Sequence, residues 1–202
     1  DDAETFEAYY EIKHAGEFQS KFVYGLTETN RDAIISAQYI ANPGCFATAT
    51  ALALAPLAKS GLLTGKVIVD AKTGSSGSGA KPAANTHHPQ RMNSFYASKP
   101  FKHQHVPEIV QHLKALGDFD NQLVFMTHSL PVSRGIFASC YAETSAKLTN
   151  EDALGLFRNF YSGSYFVRFA DGSPDINWVK NTNFCDIFVH TNGENIVVFS
   201  AI

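Results

Sequence analysis

At 202 residues the chain can bury one sizeable core, and its 45% hydrophobic and 17% charged residues exclude a disordered or fibrous class. A net charge of −3 gives no basic footprint for nucleic acid or an anionic membrane, and the longest apolar run, residues 47–58, is too short to span a bilayer. Three cysteines (Cys45, Cys140 and Cys185), odd in number and without metal-ligand spacing, argue against a disulfide framework or a metal site and for a reducing, cytoplasmic setting, with no secretory leader expected.

Residues up to about Ser20 show little hydrophobic period. "KFVYGLTETNRDAIISA" reads as a short extended piece, a turn at Gly25, and a short helix capped by Asn30. "QYIANPG" is a brief strand closed by a turn. Helix formers then run from Cys45 to about Lys59, with Gly61 as the stop and Pro56 as the place for a kink. "KVIVDAKT" is a strand apolar enough to be buried on both faces. It empties into "GSSGSGAKPAANTHHPQRMNS", a loop too long to be a simple connector. "VPEIVQHLKAL" reads as a helix with Pro107 in its first turn and Ile109, Leu113 and Leu116 on one side. Strand-like runs follow at "QLVFMTHSLPV", "RGIFASCYAETSA" and "YFVRFA", the last preceded by the helix "NEDALGLFRNFYSG". "NFCDIFVHTN" and "NIVVFSAI" close the chain as a hairpin. The expected fold is α+β: a mixed, largely antiparallel sheet covered by helices on one side.

"NPGC" poses the chemical question. Pro43 biases Asn42 toward extended backbone, Gly44 permits a sharp turn, and Cys45 falls in a first helical turn. Unpaired N–H groups and the positive dipole end there lower a thiol's pKa, which suits a nucleophile. A small buried cysteine is the competing reading, and it is the one adopted for Cys140 and Cys185. "FKHQH" sets His103 and His105 two apart before a helix start. Either imidazole suits acid–base work beside a thiol, and two solvated loop histidines are the bland alternative.

The glycine–serine loop after "VIVDAKT", carrying Lys72 and Lys81, can ring a phosphate with backbone N–H groups, although flexible surface loops share its composition. It is neither a P-loop nor a Gly-x-Gly-x-x-Gly turn. Arg134, before a glycine at a strand start, is a candidate clamp for a carboxylate or phosphate, or a plain surface arginine.

"VYGLTETNR", "IANPGCFATA", "DAKTGSSGSGAK", "HQHVPEI", "LPVSRGI" and "NTNFCDI", in this order, resemble the N-acetyl-gamma-glutamyl-phosphate reductases of the aspartate-semialdehyde and glyceraldehyde-phosphate dehydrogenase superfamily. The resemblance implies NADPH-dependent reduction of an acyl phosphate to a semialdehyde in arginine biosynthesis. Cys45 would be the nucleophile that forms a thioester, His105 the acid–base group and His103 its helper. It further implies that Ser75, Ser76, Gly77, Ser78 and Gly79 meet cofactor or substrate phosphate. Asn42, Arg134, Glu108 and Lys81 would meet substrate, and the assembly would be a homodimer or homotetramer. The family pattern has arginine between the paired histidines, where Gln104 stands here, and proline where Thr127 stands. Residues 1–38 are expected to be the tail of, or link from, a dinucleotide-binding domain, and 39–202 the catalytic, substrate-binding and dimerisation domain. NADP would be held mainly by that other domain, so this stretch alone is expected not to complete the reaction. Alternatives are an aminoadipyl-phosphate or N-succinyl-glutamyl-phosphate reductase, a Cys–His hydrolase, or a non-catalytic dimerisation domain.

Overall fold

The computed structural model describes residues 3–14 and 16–202; residues 1, 2 and 15 of the expected 1–38 link lie outside it. After helix α1 (Ala3–Tyr10) and a 3₁₀ turn (Gly16–Lys21), strand β1 (Phe22–Tyr24), helix α2 (Thr27–Ser36) and strand β2 (Tyr39–Ala41) form a small parallel βαβ unit. Asn30 breaks α2 with non-helical backbone (φ −130°, ψ 22°), and its side-chain amide donates to the carbonyl of Tyr24 at 3.0 Å. The expected helix start at Asn30 is therefore a kink, preceded by one extra turn.

The remaining strands are β3 (Leu63–Thr73), β4 (Tyr96–Ser98), β5 (Gln122–Ser129), β6 (Ile136–Thr144), β7 (Val167–Phe169), β8 (Cys185–Thr191) and β9 (Asn195–Ala201). They form one seven-stranded sheet in the order β4-β5-β3-β6-β9-β8-β7. Two pairings, β3 with β5 and β7 with β8, are parallel, and four are antiparallel. The closing hairpin pairs Asp186 with Ala201 and Thr191 with Ile196, around the turn that the sequence marks.

Helices α3 (Cys45–Ser60), α5 (His105–Leu116) and α6 (Asn150–Phe160) cover one face of the sheet, and a single-turn helix α4 (His88–Arg91) lies in the long loop between β3 and β4. α3 lies between the other two and buries twelve of its residues, mostly Ala and Leu. A helix apolar all round belongs in such a central position, and its alanines allow close approach. Thr149 and Asp152 cap α6 reciprocally. Gly61 ends α3 in left-handed backbone (φ 65°), as its position after the apolar run predicts.

Pro56 does not break α3. Its missing N–H leaves the carbonyl of Leu52 without an intrahelical donor, and the buried hydroxyl of Tyr161 donates to that oxygen at 2.6 Å.

β3 departs from expectation. Val67, Val69 and Ala71 face the helices and are fully buried, whereas Ile68, Asp70 and Lys72 alternate onto an open face, with Ile68 44% exposed. The reason is the sheet's single helical layer: strands covered on one side alternate rather than run apolar throughout. Among the described residues no helix is long and apolar enough to cross a membrane.

Candidate active site

α3 runs back along β3, and α5 runs back along β5. Both helices therefore begin at the end of the sheet where those two parallel strands finish. Cys45 opens α3 and His105 opens α5, so two helix N-termini meet there. Cys45 is exposed; Cys140 and Cys185 are buried, and burial pushes their thiols well up.

Gly44, the residue before α3, has ordinary extended backbone (φ −63°, ψ 148°). The sharp turn expected of it is not why glycine stands here. A Cβ at Gly44 would overlap Nε2, Cδ2 and Cε1 of the His105 ring. Glycine is thus what lets the imidazole press against the backbone next to the thiol.

Glu108, one turn into α5, fixes the same segment from behind. Its Oε1 accepts the Gly44 N–H at 2.8 Å and the Tyr24 hydroxyl at 2.9 Å. Burial raises the Glu108 carboxyl, and these two donors oppose the rise. Tyr24 in turn packs its ring on His112, whose Nε2 lies 3.1 Å from the Thr29 hydroxyl. Asn42 is exposed beside Gly44, Gln104 and Glu108 on the wall of an adjoining cavity of about 900 Å³.

His103 braces His105. Nδ1 of His103 accepts the His105 backbone N–H at 3.1 Å, so neutral His103 carries its proton on Nε2. The two rings sit 4.6 Å apart, and Phe46 meets both edge-on. Nδ1 of His105 is buried without a hydrogen-bond partner.

Burial, the neighbouring His105 and Lys99 hold His103 at about 4; burial and then Lys99 hold His105 at about 4. Both rings are neutral at pH 7. The Cys45 thiol is raised, by burial first and also by the Glu108 charge, against the lowering effect of the Phe46 and Cys45 backbone N–H groups. The push on the thiol is therefore upward, opposite to the lowering expected from a helix N-terminus. Desolvation at this site outweighs the helix end.

The glycine–serine loop and the Arg134 loop lie at this end of the sheet and are joined to one another. N–H groups of Gly74, Ser75 and Ser76 donate to carbonyls of Gly135, Val132 and Ser133, each at 2.9 Å. A Cβ on Gly74 would stand 2.8 Å from the Arg134 nitrogen, so close backbone approach requires glycine there. These amides are spent inside the protein, which leaves the exposed segment Ser76–Gly79 and its hydroxyls facing outward. Lys81 is exposed farther along the loop. Lys72 points to the open sheet face, where its Nζ meets Asp70 at 2.7 Å. Tyr24, Phe46 and Lys99 were not singled out by sequence; an aromatic directly after the thiol and a lysine before the paired histidines were the signals present. Among the described residues no cluster of three or more His, Cys, Asp or Glu could hold a metal ion.

Comparison with known proteins agrees with this architecture. The chain is 40% identical over its whole length to an N-acetyl-gamma-glutamyl-phosphate reductase of Methanocaldococcus jannaschii, covering 60% of that protein. It is 43% identical over 90% of its length to one from Bacteroides thetaiotaomicron, covering 56%. The chain thus spans a little over half the length of these relatives. Its fold matches aspartate semialdehyde dehydrogenase II of Vibrio cholerae with a TM-score of 0.69 at 15% identity, over 91% of this chain and 63% of that one. Residues 45–202 match the semialdehyde dehydrogenase dimerisation domain, and the chain belongs to that family.

Proposed function

We propose that this chain is the thiol-bearing, dimer-forming part of an NADP-dependent N-acetyl-gamma-glutamyl-phosphate reductase. The observation that carries the proposal is the exposed Cys45 at the start of α3, with the His105 ring seated against the residue before it. The names of the relatives support the substrate, and the relatives' additional length leaves room for a dinucleotide-binding part.

In this reading Sγ of Cys45 attacks the acyl carbon as His105 takes the thiol proton. The C–S bond forms, the C–O bond to phosphate breaks, and phosphate leaves a thioester on Cys45. Neutral His105 suits that role, because an imidazole already protonated accepts no proton. His103 holds His105 in place through the backbone bond to its Nδ1. The reduced cofactor, NADPH, would supply the hydride for reduction of the thioester and leave as NADP. This chain's contribution to holding it would be the outward serine hydroxyls of Ser76 and Ser78, which suit a phosphate or ribose edge. Asn42, Arg134, Glu108 and Lys81 are proposed to contact substrate; Glu108 has its Oε2 for this, since Oε1 is engaged.

The partner is a second copy. The open sheet face presents Ile68, Tyr141, Phe137, Phe188 and Phe199, with Asp70 between Lys72 and His128 at its centre. A half-exposed apolar sheet face on a dimerisation domain fits burial against an identical face.

The test uses the chain with N-acetyl-gamma-glutamyl phosphate, read by intact-mass spectrometry. One acyl group on Cys45, absent in Cys45→Ser, is expected. No acylation of a Cys45 that still reacts with iodoacetamide would overturn the reading.

A further inference from the structure

β4 hands over to α5 through residues 99–104. Lys99 and Phe101 adopt left-handed backbone (φ 47° and 59°), and the Lys102 N–H closes on the Lys99 carbonyl at 3.2 Å. Two such residues around Pro100 fold the segment back on itself. In consequence Nζ of Lys99 donates to Oε1 of Gln104 at 2.8 Å. Gln104 is the residue immediately before His105 and the start of α5, and its side chain makes no capping bond to the helix.

A cation is out of place there. The start of a helix carries the positive end of its dipole, and the start of α3 lies alongside. A carboxylate would relieve the charge, yet among the described residues Lys99 forms no ion pair. Its hydrogen bond goes to a neutral amide. The ammonium is close enough to both imidazoles that, after burial, it helps to hold them low. What this arrangement lacks is an anion.

We propose that Lys99 is a specificity-determining residue, its ammonium held over the start of α5 by Gln104 to pair with an oxyanion of the substrate beside Cys45. The inference rests on Cys45 being the acyl acceptor. An acyl phosphate offers two oxyanion sources, the leaving phosphate and a carboxylate of the acyl chain.

The experiment compares alkylation of Cys45 by iodoacetate and by iodoacetamide, which share an electrophilic carbon and a leaving group and differ by a carboxylate. Cys140 and Cys185 are buried, so the rates report Cys45. At low salt the iodoacetate-to-iodoacetamide ratio should fall about threefold or more in Lys99→Gln and be retained in Lys99→Arg. The iodoacetamide rate itself should change by less than about twofold, as expected for an exposed side chain. An unchanged ratio in Lys99→Gln overturns the inference, whereas a reactive thiol that no acyl phosphate modifies overturns the reading beneath it. Independently of the thiol, amide shifts of Gln104 and His105 are followed on adding inorganic phosphate and, separately, N-acetylglutamate. Saturable shifts that vanish in Lys99→Gln support the inference and identify the source by which probe gives them. No saturable shift with either overturns it.

Discussion

Gly44 and His105 occupy one space: the imidazole fills the volume that any side chain at Gly44 would need. Gly44→Ala must displace the ring, the start of α3, or both. A misplacement near 1 Å at a reacting pair costs on the order of 10²-fold in rate. Acylation of Cys45 should therefore drop by about that factor, while the melting temperature moves by only a few degrees. Mass-spectrometric acylation rates beside a thermal melt check this; an alanine variant with wild-type rates would show that the contact has no catalytic consequence.

Glu108 acts on the thiol through charge as well as position. Ionised Glu108 raises the Cys45 thiol, so Glu108→Gln removes a repulsion while keeping an oxygen for the Gly44 N–H. The pH midpoint for iodoacetamide labelling of Cys45 should move down. In the unaltered chain that midpoint should lie above that of an ordinary cysteine. A midpoint that stays put or rises in the glutamine variant would remove the electrostatic part of this account.

Three buried histidines make stability depend on acid. His103, His105 and His112 are each lowered from 6.5 to about 4, burial being the first cause in every case. The unfolded chain binds protons on them at pH values where the folded one does not. Stability is therefore full above about pH 6.5 and is lost as pH falls toward 4, by up to about 3 kcal/mol per histidine and less where solvent screens the ring. Glu108, raised rather than lowered, works in the opposite sense and offsets part of the loss. Urea midpoints at pH 7.5, 5.5 and 4.5 test this, and a flat profile would contradict it.

The fold was legible where one physical signal dominates. α3 was readable from a run of helix formers with glycine at its end, and the β8–β9 hairpin from two apolar runs around "TNGEN". β3 misled because "KVIVDAKT" reads as apolar throughout, and only the count of helical layers decides which side stays open. Cys45 and the two histidines were singled out because reactive residue types at a helix start are visible in sequence. The reason for Gly44 was not, since it lies in a ring sixty-one positions away in the chain. Neither was the upward push on the thiol, which comes from desolvation by the residues packed around it. Lys99 was invisible for a related reason: its position depends on two left-handed residues that are not glycines.

The open sheet face should tie stability to self-association. Ile68 stands near its centre, 44% exposed, opposite Tyr141 on β6 and Val124 on β5. Ile68→Glu would bury a charge between two copies while costing little in a single one. Sedimentation should show a dimer for the unaltered chain and a monomer for the variant, with iodoacetamide labelling of Cys45 changed by less than about twofold. A variant that remains dimeric would move the interface elsewhere.

Tyr161 and Pro56 form a compensating pair across the core. Tyr161→Phe removes the hydroxyl that serves the Leu52 carbonyl and leaves that oxygen buried and unpaired, at a cost of about 1–3 kcal/mol. Pro56→Ala restores an N–H one turn along, aimed at the same oxygen. Placed in the Tyr161→Phe background, the alanine should therefore recover more stability than it adds to the unaltered protein, with a coupling of roughly 1 kcal/mol. Denaturant titrations of the two single variants and the double variant give that coupling directly. Additive effects would mean that the hydroxyl and the missing amide do not share the carbonyl, and that α3 tolerates its proline through some other accommodation.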